Sequence, residues 1–259
     1  MDEFDKLVSI FERLRGPGGC PWDAEQDHKS IARGIIEEAY ELFDAIESDD
    51  IGLMREELGD VLLHVVFHSI IARDQEEFTL TDVINGLSEK LISRHPHVFA
   101  GANMETSGEV IRNWELLKQN EQGKSERESI LDGIPDSLPS LLTARKIQSV
   151  VSRVGFDWPD IGGVIDKLKE EASELGEALD RRDTNAVEEE IGDILFSIVN
   201  LARFHKVDPE SALRKTNRKF RKRFFEIEKE AKKRGILLDE MSPEEMDRIW
   251  ERAKDLEKQ

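Results

Sequence analysis

The sequence predicts an all-α protein made of two tandem copies of one helical unit, and three observations carry that prediction. Apolar residues recur at three- and four-residue steps, as in Ile31, Ile35, Ala39, Leu42 and Ile46 and again in Leu168, Ala172, Leu175 and Leu179, the signature of one helix face. Strand-like alternation with hairpin turn signals is nearly absent, and most prolines and glycines fall between the periodic segments. A shift of 133 residues, which carries Glu37 onto Glu170, superposes two long stretches.

In the first half, Gly16-Pro17-Gly18-Gly19 reads as the turn that takes the chain out of a first helix. On the next long helix Glu38 and Glu41 lie three residues apart on one face, and Glu57 and Asp60 repeat that spacing on the helix after it. Two antiparallel helices can then aim four carboxylates at one point. The second pair leads into Val61-Leu62-Leu63-His64-Val65-Val66-Phe67, apolar nearly all round, which predicts a helix buried on most sides. Lys90 and Arg94 follow one turn apart, and then Trp114, Glu115 and Lys118. The segment Gln119–Ser129 has no apolar residue and contains Gly123, as expected of a solvated linker. The predicted organisation is a first domain over 1–118, a polar linker over 119–135 and a second domain over 136–259.

The second half repeats the first. Glu37-Glu38-Ala39-Tyr40-Glu41-Leu42 falls on Glu170-Glu171-Ala172-Ser173-Glu174-Leu175, and Glu56-Glu57-Leu58-Gly59-Asp60 falls on Glu189-Glu190-Ile191-Gly192-Asp193. Val61, Leu62, Leu63, Val65 and Val66 then stand in register with Ile194, Leu195, Phe196, Ile198 and Val199. With small length changes in the loops, Lys90 and Arg94 match Lys219 and Arg223, while Trp114, Glu115 and Lys118 match Trp250, Glu251 and Lys254. Each half carries the same ordered set, so the domain is duplicated.

Composition excludes several classes of function. The formal charge of -19 repels nucleic-acid backbones and anionic lipid, and no run approaches the length of a membrane span. Cys20 is the single cysteine, which rules out an intrachain disulfide and a multi-cysteine zinc site. With an acidic N-terminus unlike a signal peptide, the expectation is a cytoplasmic protein. Gly123-Lys124-Ser125 lacks the first glycine of a P-loop, because Lys118 stands there. His64 and His68 have metal-ligand spacing, but Ser197 and Leu201 replace them in the second copy, so they read as core or interface residues. Glu25 and His28 form one ExxH, where a di-iron bundle needs two.

The carboxylates are the chemistry-bearing feature. In a chain with 36% charged residues, EExxE taken alone is a solvated helix face. Two features outweigh that interpretation: the second pair opens an apolar helix, where uncompensated acids are costly, and all the acidic positions recur with their gap. A shared ligand explains both. Glu and Asp oxygens, without repeated His or Cys, select magnesium or manganese over zinc or copper. Magnesium held by few carboxylates takes further ligands from phosphates, which points to phosphoryl chemistry. The pairs Lys90/Arg94 and Lys219/Arg223 are placed to meet phosphate oxygens beyond the metal's reach. A non-catalytic helical interaction protein is the competing class, and it would show no magnesium-dependent thermal shift with a triphosphate.

These residues resemble the MazG nucleoside triphosphate pyrophosphohydrolases. The likeness covers essentially the whole chain and rests on Arg15-Gly16-Pro17-Gly18-Gly19-Cys20-Pro21-Trp22-Asp23, the twin EExxE and ExxD motifs, Arg94-His95-Pro96-His97-Val98-Phe99 and the tandem arrangement. The resemblance implies helical bundles completed by homodimerisation. It also implies magnesium-dependent hydrolysis of ribo- and deoxyribonucleoside triphosphates to monophosphate and pyrophosphate, with loose base selectivity and a house-cleaning role. Carried over by position, the metal ligands are Glu38, Glu41, Glu57 and Asp60 in the first copy and Glu171, Glu174, Glu190 and Asp193 in the second, the latter four being the catalytic set. Lys167, Lys219 and Arg223 would contact phosphates, and Trp250 would stack on the base.

The copies also differ in ways that make the second the expected working site. Lys167 aligns with Gly34, so the first copy lacks a cation one turn before its EExxE, although Arg33 is adjacent. Asn200 aligns with Phe67 and lies about two turns after Asp193, facing the same way, where its amide can hydrogen-bond a sugar or a metal-bound water.

Overall fold

The computed structural model describes residues 3–104, 106, 108–110, 113, 114, 117 and 128–257. Glu115, Lys118 and the linker positions 119–127 therefore lie outside the described residues. The chain divides into two compact units, Met1–Ser125 and Glu126–Gln259. Among the described residues every regular element is helical, and no helix is long and apolar enough to cross a membrane.

The first unit contains α1 (Glu3–Arg15), α2 (Pro21–Glu25), α3 (Gly34–Glu47), α4 (Ile51–Asp74), α5 (Leu80–Arg94) and α6 (Pro96–Phe99). The glycine run ends α1 as expected. Cys20 N–H donates to the Leu14 carbonyl at 2.7 Å, and a Cβ on Gly19 would lie 2.2 Å from that same oxygen, so only glycine fits. Asp50 caps α4 by accepting from Leu53 N–H at 3.0 Å, and Thr79 with Asp82 forms a capping box on α5. The short connection between α3 and α4 makes them an antiparallel hairpin. Phe11 of α1 packs on Phe67 of α4 with ring centroids 5.6 Å apart, within a core that includes Ile31, Val66, Ile70 and Ile71.

The second unit contains α7 (Ser140–Ser152), α8 (Ile161–Arg181), α9 (Thr184–Phe204), α10 (Pro209–Arg234), a 3-10 turn over Leu238–Glu240 and α11 (Pro243–Leu256). Asp160, Asp183, Asp208 and Ser242 cap the four long helices, and Pro209 and Pro243 occupy first-turn positions where a missing N–H costs nothing. Here α8 and α9 form the hairpin, α7 packs on α9, and α10 with α11 closes over Ile227, Ala231, Met241 and Ile249. Asn200 sits a full turn inside α9, so it is not a helix-end residue.

The hairpin helices are less enclosed than their composition predicts. Val66, Phe67, Ile70 and Ile71 are buried, yet Leu58, Leu62 and Leu63 of α4 and Ile191, Leu195, Phe196 and Ile198 of α9 are exposed. The described helices of each unit cover one side of the hairpin and leave the other apolar side open.

Candidate active site

The hairpins bring the acidic pairs together as their spacing requires. One carboxylate oxygen from each of Glu38, Glu41 and Glu57 lies within 4.8 Å of the others, and Glu171, Glu174 and Glu190 form the same group in the second unit. Asp60 and Asp193 fall outside these trios but remain neighbours. Burial, and then the surrounding carboxylates including Asp60 and Asp193, push the Glu57 and Glu190 carboxyls above their ordinary values. Glu174 is raised in the same way, by burial first and by Glu171 second.

The trios also contain atoms that call for a cation. Glu57 is only 5% exposed and Glu171 only 4%. Oε2 of Glu57 and Oε2 of Glu190 are buried without a hydrogen-bond donor, a costly condition for a carboxylate. An all-oxygen donor set with orphaned acceptors fits a hard divalent ion such as magnesium or manganese. His64 and His68 belong to neither trio. His64 is buried, and His68 shares a 2.8 Å Nδ1 to Nδ1 hydrogen bond with His28, their rings stacked at 5.1 Å.

In the second unit the trio adjoins a cavity of about 510 Å³. It is lined by Lys167, Glu171 and Asp193, and it extends to Asn200 and Arg203, about 10 and 15 Å further along α9 at 1.5 Å per residue. Lys167 Nζ lies 2.7 Å from Glu171 Oε1 and 2.8 Å from Glu170 Oε1, and these bonds push its pKa upward. Asn200 Oδ1 accepts from Arg203 Nε at 3.0 Å and Nη2 at 2.8 Å, which leaves the Asn200 NH2 for another partner. Arg203 is itself held by Asp157, with Nη1 to Oδ2 at 3.0 Å.

Other expected contacts are not part of this cavity. Lys219, Arg223 and Trp250 do not line it. Arg223 is paired with Glu257 at 2.6 Å and lies over the Trp250 ring at 5.5 Å. Arg94 lies over Trp114 at 5.3 Å, so both units repeat an arginine-on-tryptophan pair, while Lys90 is exposed on α5. Conversely, Gln148, Phe156, Asp157, Trp158 and Arg203 line the cavity but were not singled out by motif or repeat. A usable signal existed for Gln148: it is a polar residue on an α7 face otherwise marked by apolar Ile147 and Val151.

The first unit fills the corresponding space. A Cβ on Gly34, the counterpart of Lys167, would lie 2.4 Å from His64 Cε1. Phe67, the counterpart of Asn200, is a core residue at 3% exposure.

Paired acidic trios on helical hairpins, one adjoining a cavity with a lysine at the carboxylates, are an arrangement suited to a helical protein that handles phosphates. Comparison with known proteins narrows the class. The family model described as the MazG nucleotide pyrophosphohydrolase domain matches residues 26–99 and 163–225. A Thermotoga maritima protein named nucleoside triphosphate pyrophosphohydrolase/pyrophosphatase MazG is 51% identical over 97% of this chain and 95% of its own length. The Escherichia coli K12 nucleoside triphosphate pyrophosphohydrolase is 43% identical over 98% of both chains. A longer Bacillus subtilis protein is 46% identical over 99% of this chain and 52% of its own length. The chain belongs to the MazG family of nucleotide pyrophosphohydrolases, hydrolases acting on acid anhydrides.

Proposed function

We propose that this chain hydrolyses ribo- and deoxyribonucleoside triphosphates to the monophosphate and pyrophosphate, with magnesium or manganese, broad base selectivity and a house-cleaning role in the cytoplasm. The observation that carries this reading is the Glu171, Glu174 and Glu190 trio, with an orphaned buried oxygen, opening into a cavity of nucleotide size. Glu171, Glu174 and Glu190, with Asp193 beside them, would hold the cation. When bound, it would supply positive charge to phosphate oxygens and lower the pKa of a coordinated water.

The chain's own groups do the rest. Lys167 neutralises Glu171 in the free protein, and its ammonium is one short side-chain movement from a triphosphate oxygen at the same place. Asn200 presents its NH2 toward the nucleoside because Arg203 occupies its oxygen. Aromatic Phe156 and Trp158 line the cavity and offer it flat apolar surface. The exposed apolar faces of α4 and α9 suit closure against a second copy of the chain as a homodimer. In that assembly Lys219, Arg223 and Trp250 would serve phosphate and base from outside the single-chain cavity.

Analysis of initial products from a panel of triphosphates tests the reading. Monophosphate and pyrophosphate are expected with magnesium, and nothing after chelation. Diphosphate and orthophosphate as first products would overturn it.

A further inference from the structure

The cavity contains one more polar feature that the phosphate chemistry leaves unused. Gln148 projects from α7, is 4% exposed and lines the cavity among Phe156, Trp158 and Val151. Its Nε2 donates to the Phe196 carbonyl of α9 at 2.8 Å, while its Oε1 is buried and has no partner. The orientation of this amide is determined by chemistry. A backbone carbonyl only accepts, so the NH2 must face Phe196 and the side-chain oxygen must face away from it. A buried carbonyl without a donor is uncommon in proteins and costly, which marks it as a group awaiting a ligand.

We infer that Gln148 is a specificity-determining residue whose Oε1 accepts a hydrogen bond from an N–H on the edge of the bound nucleobase. The inference rests on the pyrophosphohydrolase reading above and identifies how that site selects its substrate. Three features favour the base over the sugar or phosphates. Gln148 is tied to Phe196, on the stretch of α9 between Asp193 and Asn200, so it lies beyond the cation-binding carboxylates. The walls around it are aromatic and aliphatic, suited to a planar ring. Phe196 lies about 4.5 Å past Asp193 along the helix, and the cavity continues about 10 Å further to Arg203, room for a planar base beyond the phosphates.

A lone acceptor also accounts for loose selectivity. Each natural base carries an N–H on its pairing edge: the amines of adenine, cytosine and guanine and the ring imide of uracil and thymine. An acceptor in a cavity of about 510 Å³ therefore passes all of them and penalises a base that has lost that donor.

The test compares matched nucleotides on the wild-type protein. ATP is paired with purine riboside triphosphate and CTP with its 4-deamino analogue, each analogue lacking only the amine. The expected result is a kcat/KM about tenfold or more lower for each analogue, the penalty for leaving a buried acceptor unpaired. Gln148→Met, checked by thermal melting, should lower ATP and CTP by a similar factor and leave the analogues unchanged. Equal turnover of the wild-type pairs would overturn the inference whether or not the variant folds. A penalty confined to 2′- or 3′-deoxy nucleotides would also overturn it, by placing the contact on the sugar. Absence of pyrophosphate release from ATP would instead remove the catalytic reading, and the inference with it.

Discussion

The two halves place equivalent trios of glutamates on equivalent hairpins, yet surround them differently. In the second unit Gln148, Lys167, Ser197 and Asn200 stand around a cavity. The same 133-residue offset puts Arg15, Gly34, His64 and Phe67 at those positions in the first unit. There, Phe67 packs on Phe11, and the Arg15 guanidinium lies 5.5 Å from the Phe67 ring centroid while donating to the Asp23 and Gln26 carbonyls. Burying one phenylalanine stabilises a core by about 1.5–3 kcal/mol. The first unit uses for packing the volume that the second keeps open.

The largest effect expected from this contrast is on catalysis. Glu171→Ala should reduce magnesium-dependent pyrophosphate release on the order of a hundredfold or more, because it removes a proposed cation ligand beside the open cavity. Glu38→Ala should change it by no more than about threefold if the first unit's filled site turns over little. Both would be assayed under identical magnesium and nucleotide conditions after melting curves establish that they are folded. The reverse order would assign the working site to the first unit.

A smaller effect should appear in stability and only in the first unit. The His64 ring stands where a side chain on Gly34 would go, so Gly34→Ala should cost about 1–3 kcal/mol by overpacking. Gly86→Ala on α5, where nothing lies within 4 Å of the added Cβ, serves as control. It should stabilise by about 0.5–1 kcal/mol through helix propensity. Denaturant titration reads both, and a stabilising Gly34→Ala would mean that His64 yields its place readily and that the first site can be opened.

The repeat makes much of this legible in the sequence alone. Helical periodicity and the i,i+3 spacing of Glu38/Glu41 and Glu171/Glu174 determine which face the acids share, and two helices joined by a short loop must bring those faces together. Lys167 and Asn200 could be found because their counterparts, Gly34 and Phe67, cannot do the same chemistry. Gln148 is marked in the sequence only as a polar residue on an apolar face, and the Asp157–Arg203 pair is not legible there at all. Their placement depends on α7 packing against α9, a contact that no spacing within one element encodes. The open side of α4 and α9 meets a related limit: an all-apolar helix announces that it is covered without saying which chain covers it.

The smallest expected effect is the pH dependence of cation stabilisation. Glu57, Glu174 and Glu190 are carboxyls raised above their ordinary 4.5 by burial first and neighbouring acids second. A raised carboxyl costs the folded state stability as pH rises from 4.5 through its folded pKa, in full above it, and that cost is relieved as pH falls back toward 4.5. A bound divalent cation relieves the same cost at neutral pH. Magnesium should therefore raise the melting temperature most near neutral pH, and the gain should fade as pH falls through the raised carboxyl values toward 4.5. The comparison sharpens with Lys167→Met. In the wild-type second unit the ammonium already neutralises Glu171, whereas Gly34 provides no such group near Glu38. Removing the lysine should make the second trio behave like the first, lowering the melting temperature without magnesium and enlarging the magnesium-induced gain. A gain that is flat across that pH range would show that the carboxylates do not hold the ion, and a gain unaltered by Lys167→Met would show that the lysine and the ion act at separate places.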